Sequence, residues 1–256
     1  MSTEKLLTLD SEIPNNKLNF YIYGCSHAKC FIREHITYPN FAVYNMGKSS
    51  ASMSGIVKDD STLNYKKEVD KNLHKNPNSF HIFKFGQVDV EYIYYHKLFN
   101  KKEDITKKDF FNTIISEYIQ YISAIISHGV KNAIVCGCNI ASPYKWQSYV
   151  TGILKLHSIP EGMTYNTKNS DLILFNNILK KYCHDNNVVY FDLIKECTIN
   201  DGENVLLKDE YIGKDHHYAG AEMPEPYQKM IRANSNYGHN TYCTFLQKMF
   251  KTIKNK

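Results

Sequence analysis

The chain has 256 residues, 43% hydrophobic and 22% charged, with a formal net charge of +5. That is enough chain for one sizeable core without requiring a second, so the expected organisation is a single domain over 1–256. All but two of the 31 basic residues are Lys, the exceptions being Arg33 and Arg232; they lie in scattered pairs rather than an Arg-rich stripe with aromatics, which argues against nucleic-acid recognition. No stretch approaches the roughly 20 apolar residues needed to span a bilayer. Residues 1–17, an N-terminal extension, lack the apolar run of a secretory signal. Cytoplasmic location is therefore expected. The seven cysteines, at 25, 30, 136, 138, 183, 197 and 243, are odd in number and mostly set in apolar runs. They predict reduced, buried thiols rather than a disulfide framework.

In chain order, Leu18 to Tyr23 is a short β-rich run stopping at Gly24, and Phe41 to Tyr44 is a second, stopping near Gly47. Phe80 to Phe85 stops at Gly86, Asn132 to Cys136 stops at Gly137, and Val188 to Asp192 is a fifth. The spacing predicts a helix over 107–127, with Phe111, Ile114, Ile115, Tyr118, Ile122, Ile125 and Ile126 on one face. A second is predicted over 170–184 with Leu172, Leu174, Ile178, Leu179 and Tyr182 apolar, and a last over 241–253. Residues 219–239, with two prolines and several polar residues, read as a loop excursion before that final helix. Strands alternating with helices predict a three-layer α/β/α doubly wound sandwich around a mainly parallel five-stranded sheet, because each parallel crossover needs a connecting helix. Ligand sites in such sheets form outside the carboxyl ends of the strands. The glycines at four strand ends would let the chain turn there and leave room for a ligand.

The first strand delivers Gly24-Cys25-Ser26-His27. A Ser at a strand-to-helix turn is displayed at the top of the sheet, where amides of the following helix can stabilise an oxyanion; it is also a good helix cap. A nucleophilic Ser needs an imidazole to take its proton and an acid to orient that imidazole. Lys214-Asp215-His216-His217-Tyr218 carries both residue types on one segment. Cys25, beside His27, is a competing nucleophile, although the residue preceding the nucleophile in such a turn points into the sheet. Asp192, at the end of the fifth strand, reads as a structural carboxylate. His27, His35, Asp89 and His96 lack metal-ligand spacing, so no metal is expected. No Gly-x-Gly-x-x-Gly or Walker-type loop follows a strand, so no nucleotide cofactor is expected either.

Four short motifs over about 19–253 together resemble the block order of the SGNH/GDSL hydrolases. Gly24-Cys25-Ser26-His27 resembles block one, with Cys25 where that family usually has Asp, and Asn45-Met46-Gly47 resembles block two. Gly86-Gln87-Val88-Asp89 stands where the family has Gly-x-Asn-Asp, without its Asn. It is similar to the Gly-Glu-Ile-Asp variant of SGNH-like proteins associated with surface-glycan biosynthesis. The usual Asp-x-x-His spacing is also altered. His217, followed by the bulky Tyr218, is the preferred base and His216 the alternative.

The resemblance implies a Ser26, His217, Asp215 triad, with the Gly47 amide as an oxyanion donor. Gly86, Gln87, Asp89 and His27 would line the site, Gln87 replacing the missing Asn as an amide donor. It further implies a serine esterase or O-acyltransferase acting on acyl groups, acetyl foremost, of a small-molecule or glycan substrate. The missing Asn motivates an alternative, a catalytically altered glycan-binding protein of the same fold. No residue pattern specifies an oligomeric state.

Overall fold

The computed structural model describes residues 18–31, 41–143, 146–201 and 204–212. Strands β1 (Leu18–Gly24), β2 (Phe41–Asn45), β3 (Phe80–Lys84), β4 (Asn132–Cys136) and β5 (Val189–Phe191) pair wholly in parallel, in the order β2-β1-β3-β4-β5. All five coincide with the runs read from the sequence to within two residues. The predicted final helix, the 219–239 excursion and the 1–17 extension lie outside the described residues.

Between the strands lie α1 (Met53–Ile56), α2 (Tyr65–Lys75), α3 (Lys107–Ser127), α4 (Trp146–Leu154) and α5 (Tyr165–Asp185), followed by α6 (Ile194–Cys197). Two π-helical turns, Asp89–Ile93 and His96–Asn100, precede α3, and an antiparallel pair, β6 (Thr198–Asp201) and β7 (Asn204–Leu207), follows α6. The chain thus forms an α/β fold around a parallel sheet. Among the described residues, no helix is long and apolar enough to cross a membrane.

Both faces of the sheet are covered, so the strands carry large apolar side chains in succession rather than alternating with polar ones. Phe20, Ile22, Tyr23, Ile82, Phe83, Ile134 and Val135 are all buried. Register is reinforced by ring pairs across strands, with Phe20 4.8 Å from Phe80 and Tyr23 5.2 Å from Phe83.

One buried polar chain ties the sheet to α2. His81 Nε2 donates to the Asn76 carbonyl at 2.8 Å, because a carbonyl can only accept. That leaves Nδ1 to accept from the Tyr23 hydroxyl at 3.0 Å, and Asn72 Nδ2 donates to the same hydroxyl at 2.5 Å.

Helix α3 has the predicted bounds, and Thr106 caps it by accepting from the Asp109 amide. Its inner face differs by one position: Ile119 is buried and Ile126, in the last turn of the helix, is exposed. Helix α5 begins five residues earlier than expected, at a reciprocal cap between Thr164 and Thr167. Its first turns bury Lys168, Asn169 and Asp171, which carry no apolar signal. Further along α5, Phe175 is buried and Leu174 exposed.

The strand order sets the location of a site. The chain steps from β1 outward to β2, returns past β1 to β3, and then continues outward through β4 and β5. The connections after β1 and β3 therefore leave in opposite directions and open a crevice at their carboxyl ends.

Candidate active site

Gly24 ends β1 at φ +148°, and a Cβ there would lie 2.0 Å from the Lys84 carbonyl oxygen. Only glycine allows β1 and β3 to approach so closely at the point where the chain turns. Ser26 follows two residues on, as the first residue of a 3₁₀ helix, Ser26–Phe31.

Its two neighbours face inward. Cys25 is buried, its Sγ 3.5 Å from His27 Nδ1, and burial pushes its thiol up to about 11. His27 is also buried, whereas Ser26 is only partly so. The turn therefore leaves Ser26 partly exposed and withholds the thiol, which disfavours Cys25 as a nucleophile.

Gly47 packs against the same turn. A Cβ on it would lie 3.4 Å from each of the Gly24 and Cys25 carbonyl oxygens. The Met46 amide donates to the Ile22 carbonyl and the Lys48 amide to the Gly24 carbonyl, both at 2.9 Å, extending the β1–β2 ladder past β2. The Tyr65 hydroxyl bridges the two connections, accepting from the Gly24 amide and donating to the Met46 carbonyl. The Gly47 amide itself donates to Asn45 Oδ1 at 2.9 Å, at the protein surface.

The third block has a structural role that its sequence did not announce. Asp89 is fully buried and accepts from the Met53 amide at 2.6 Å, the Ser54 amide at 3.0 Å and the Ser54 hydroxyl at 2.8 Å. Burial pushes its carboxyl upward, against those bonds from Ser54 and Met53. Asp89 thus anchors the start of α1, and with it the loop that carries Gly47, rather than lining a substrate site.

Gly86, at φ +102°, was expected to leave room for a ligand. The Phe175 ring fills that room, since a Cβ on Gly86 would lie 2.5 Å from it.

Gln87 also departs from expectation. Its Nε2 donates to Glu91 Oε1 at 2.9 Å and to the Asn139 carbonyl at 3.2 Å, while its Oε1 accepts from the Asn139 amide at 2.9 Å. Both amide hydrogens are engaged, so Gln87 does not replace the missing Asn as an oxyanion donor. Val88, half-buried, stands where the family pattern has that Asn.

Three residues not singled out from the sequence belong to this rim. Asn139 lies in the connection after β4, and Glu91 and Lys168 form a buried pair behind Gln87, with Lys168 Nζ 3.4 Å from Glu91 Oε1. Asn139 obeys the positional rule that picked out Ser26, a polar residue just past a strand-ending glycine, and could have been found by it. Asp192 bonds the Ile194 amide at 3.1 Å at the start of α6, which is the structural role expected of it.

Ser26, Gly47, Gly86 and Gln87 therefore stand at the carboxyl ends of adjacent strands. Asp215, His216 and His217 lie outside the described residues. Among those described, no three His, Cys, Asp or Glu side chains group as metal ligands.

No family model matches the chain, and no curated protein matches it in sequence. Its structure is similar to solved ones. A Streptococcus pneumonia protein provisionally named as a platelet activating factor aligns at a TM-score of 0.52 and 11% identity, over 88% of this chain and 86% of that one. A GDSL-like lipase from Bacteroides thetaiotaomicron aligns at 0.49 and 11% identity, over 84% of each chain. A Bacteroides fragilis protein provisionally named as an acylhydrolase aligns at 0.49 and 12% identity, over 91% of this chain and 93% of that one. At such identities the likeness is one of fold alone, an α/β fold shared with the Streptococcus pneumonia protein.

Proposed function

We propose that this chain is a serine ester hydrolase or acyltransferase whose nucleophile is Ser26. The observation that supports this reading is the β1 turn, which leaves Ser26 partly exposed between the buried Cys25 and His27 and has Gly47 packed against it. Esterase-type chemistry is what the resemblance of the four motifs to the SGNH/GDSL hydrolases implies. Carbohydrate O-acyl groups as substrate follow only from the resemblance of the third block to glycan-associated relatives.

In this reading His217, or alternatively His216, accepts the Ser26 proton as Oγ bonds to the acyl carbonyl carbon. The leaving alcohol departs with that proton, giving an acyl-Ser26 ester. Water, or a hydroxyl of a second sugar, then attacks while losing its proton to the same imidazole, and Ser26 is regenerated. Asp215 orients the imidazole. The amides of Ser26 and Gly47 hold the oxyanion, for which Gly47 must exchange its bond to Asn45.

The test is hydrolysis of p-nitrophenyl acetate by the wild type and by Ser26→Ala, with far-UV circular dichroism of both. Loss of turnover in a folded Ser26→Ala protein supports the assignment, and unchanged turnover removes it.

A second reading, a catalytically altered glycan-binding protein, is favoured by one observation. Gln87 has no amide hydrogen left for an oxyanion, and losing one such donor costs about 3 to 4 kcal/mol of transition-state stabilisation. A folded wild type that binds sugars but turns over no ester would select it.

A further inference from the structure

The connection after β4 is held, residue by residue, by side chains from elsewhere. Lys84 Nζ donates to the Gly137 carbonyl at 2.6 Å. Asn176 Oδ1 accepts from the Cys138 amide at 2.7 Å and its Nδ2 donates to the Cys138 carbonyl at 2.9 Å. Gln87 makes the equivalent pair of bonds to Asn139. Asn169 Oδ1 accepts from the Ala141 amide at 3.1 Å, and the Tyr165 hydroxyl donates to the Ala141 carbonyl at 2.7 Å. Lys84, Gln87, Asn169 and Asn176 are all buried. So many buried polar groups spent on one loop give it a single conformation.

What the loop holds is the Asn139 side chain. It is 2% exposed, and among the described residues neither Nδ2 nor Oδ1 has a hydrogen-bond partner. Folding does not leave a buried carboxamide empty on both sides without a reason, because the desolvation cost is unrecovered. A donor and an acceptor lying side by side, both unused, match a group that itself donates and accepts. A carbonyl oxygen, which only accepts, would leave Oδ1 unpaired; a hydroxyl satisfies both.

We propose that Asn139 is a specificity-determining residue that binds a hydroxyl of a sugar-like polyol at the carboxyl edge of the sheet. This rests on the reading of the rim around Ser26 as a substrate site, and it names the alcohol side of the ester as the part Asn139 recognises. Gln87 is the positioning residue that sets the Asn139 backbone.

The experiment is thermal unfolding of the wild type, Asn139→Leu and Ser26→Ala, each with and without 100 mM methyl β-D-xylopyranoside. Leu keeps the number and branching of the side-chain heavy atoms and removes both polar atoms, so the lost desolvation cost offsets the strain of its bulkier methyl groups and the folded variant is expected to unfold near the wild-type temperature. A midpoint rise with the xyloside in the wild type and in Ser26→Ala, lost in Asn139→Leu, supports the proposal. Equal rises in all three, or none in the wild type, overturn it; the latter is also the outcome if Asn139 meets only an internal water.

Should Asn139→Leu not fold, Asn139→Asp, which keeps the shape and loses the donor, is read in the same way. The ester assay separates the two claims. A wild type without esterase activity that shows the xyloside effect loses the Ser26 reading alone, and an active wild type without the effect loses the Asn139 proposal alone.

Discussion

The carboxamide of Gln87 grips both backbone polar groups of Asn139, joining the connection after β3 to the connection after β4. Its orientation is fixed by Glu91, which can only accept, and Glu91 is in turn paired with Lys168. Gln87→Leu should therefore strand a buried amide, a buried carbonyl and one side of Glu91. Urea unfolding of this variant is expected to show a loss of about 2 to 4 kcal/mol.

The turn before Ser26 depends on a glycine that no other residue can replace. Gly24→Ala would put a methyl group 2.0 Å from the Lys84 carbonyl oxygen, in a backbone region unfavourable to L-residues. The strands would have to separate, at a cost of at least about 3 kcal/mol. Expression in soluble form followed by a thermal melt checks this. A midpoint equal to the wild type's would contradict the close β1–β3 approach.

The sheet was legible in the sequence because its strands are short apolar runs rich in β-branched and aromatic residues, four of them punctuated by glycine, and α3 because seven apolar residues recur along one stripe. Helix α2 buries only Tyr65, Val69 and Leu73, a single file too thin to stand out among its charges. The start of α5 was hidden because its buried residues, Lys168, Asn169 and Asp171, are polar and serve the rim rather than the core. The same confusion affected the site. Gly86, Gln87 and Asp89 look like ligand groups in sequence, yet one makes room for Phe175 and the other two brace neighbouring loops. A motif records which residues meet, and only geometry separates those that face a substrate from those that hold the ones that do.

His81 gives the fold a pH dependence. Burial lowers its pKa below the ordinary 6.5, and the bond to the Asn76 carbonyl opposes this only in part. A histidine held neutral in the folded state takes up its proton first in the unfolded chain. Its contribution is therefore complete above pH 6.5 and declines as pH falls below that value. Urea midpoints should fall between pH 7 and pH 5. His81→Gln should flatten that limb of the profile while lowering stability at pH 7 through the loss of the Tyr23 network.

Cys25 should be chemically silent. With its thiol pushed up to about 11 by burial, fewer than roughly one in a thousand is ionised at pH 7.5, and the sulfur lies beneath the turn. Iodoacetamide treatment of the native protein at that pH, followed by peptide mapping, should leave Cys25 unmodified and ester hydrolysis intact. Alkylation of Cys25 in step with loss of activity would instead favour the thiol as nucleophile.

The central claim is that the β1 turn presents Ser26 as an activated nucleophile, and fluorophosphonate labelling tests it most directly. Intact mass and peptide mapping should find a single adduct on Ser26 in the folded wild type and none in Ser26→Ala. A folded wild type that forms no adduct at Ser26 at any pH, or an adduct that persists in Ser26→Ala, would contradict it.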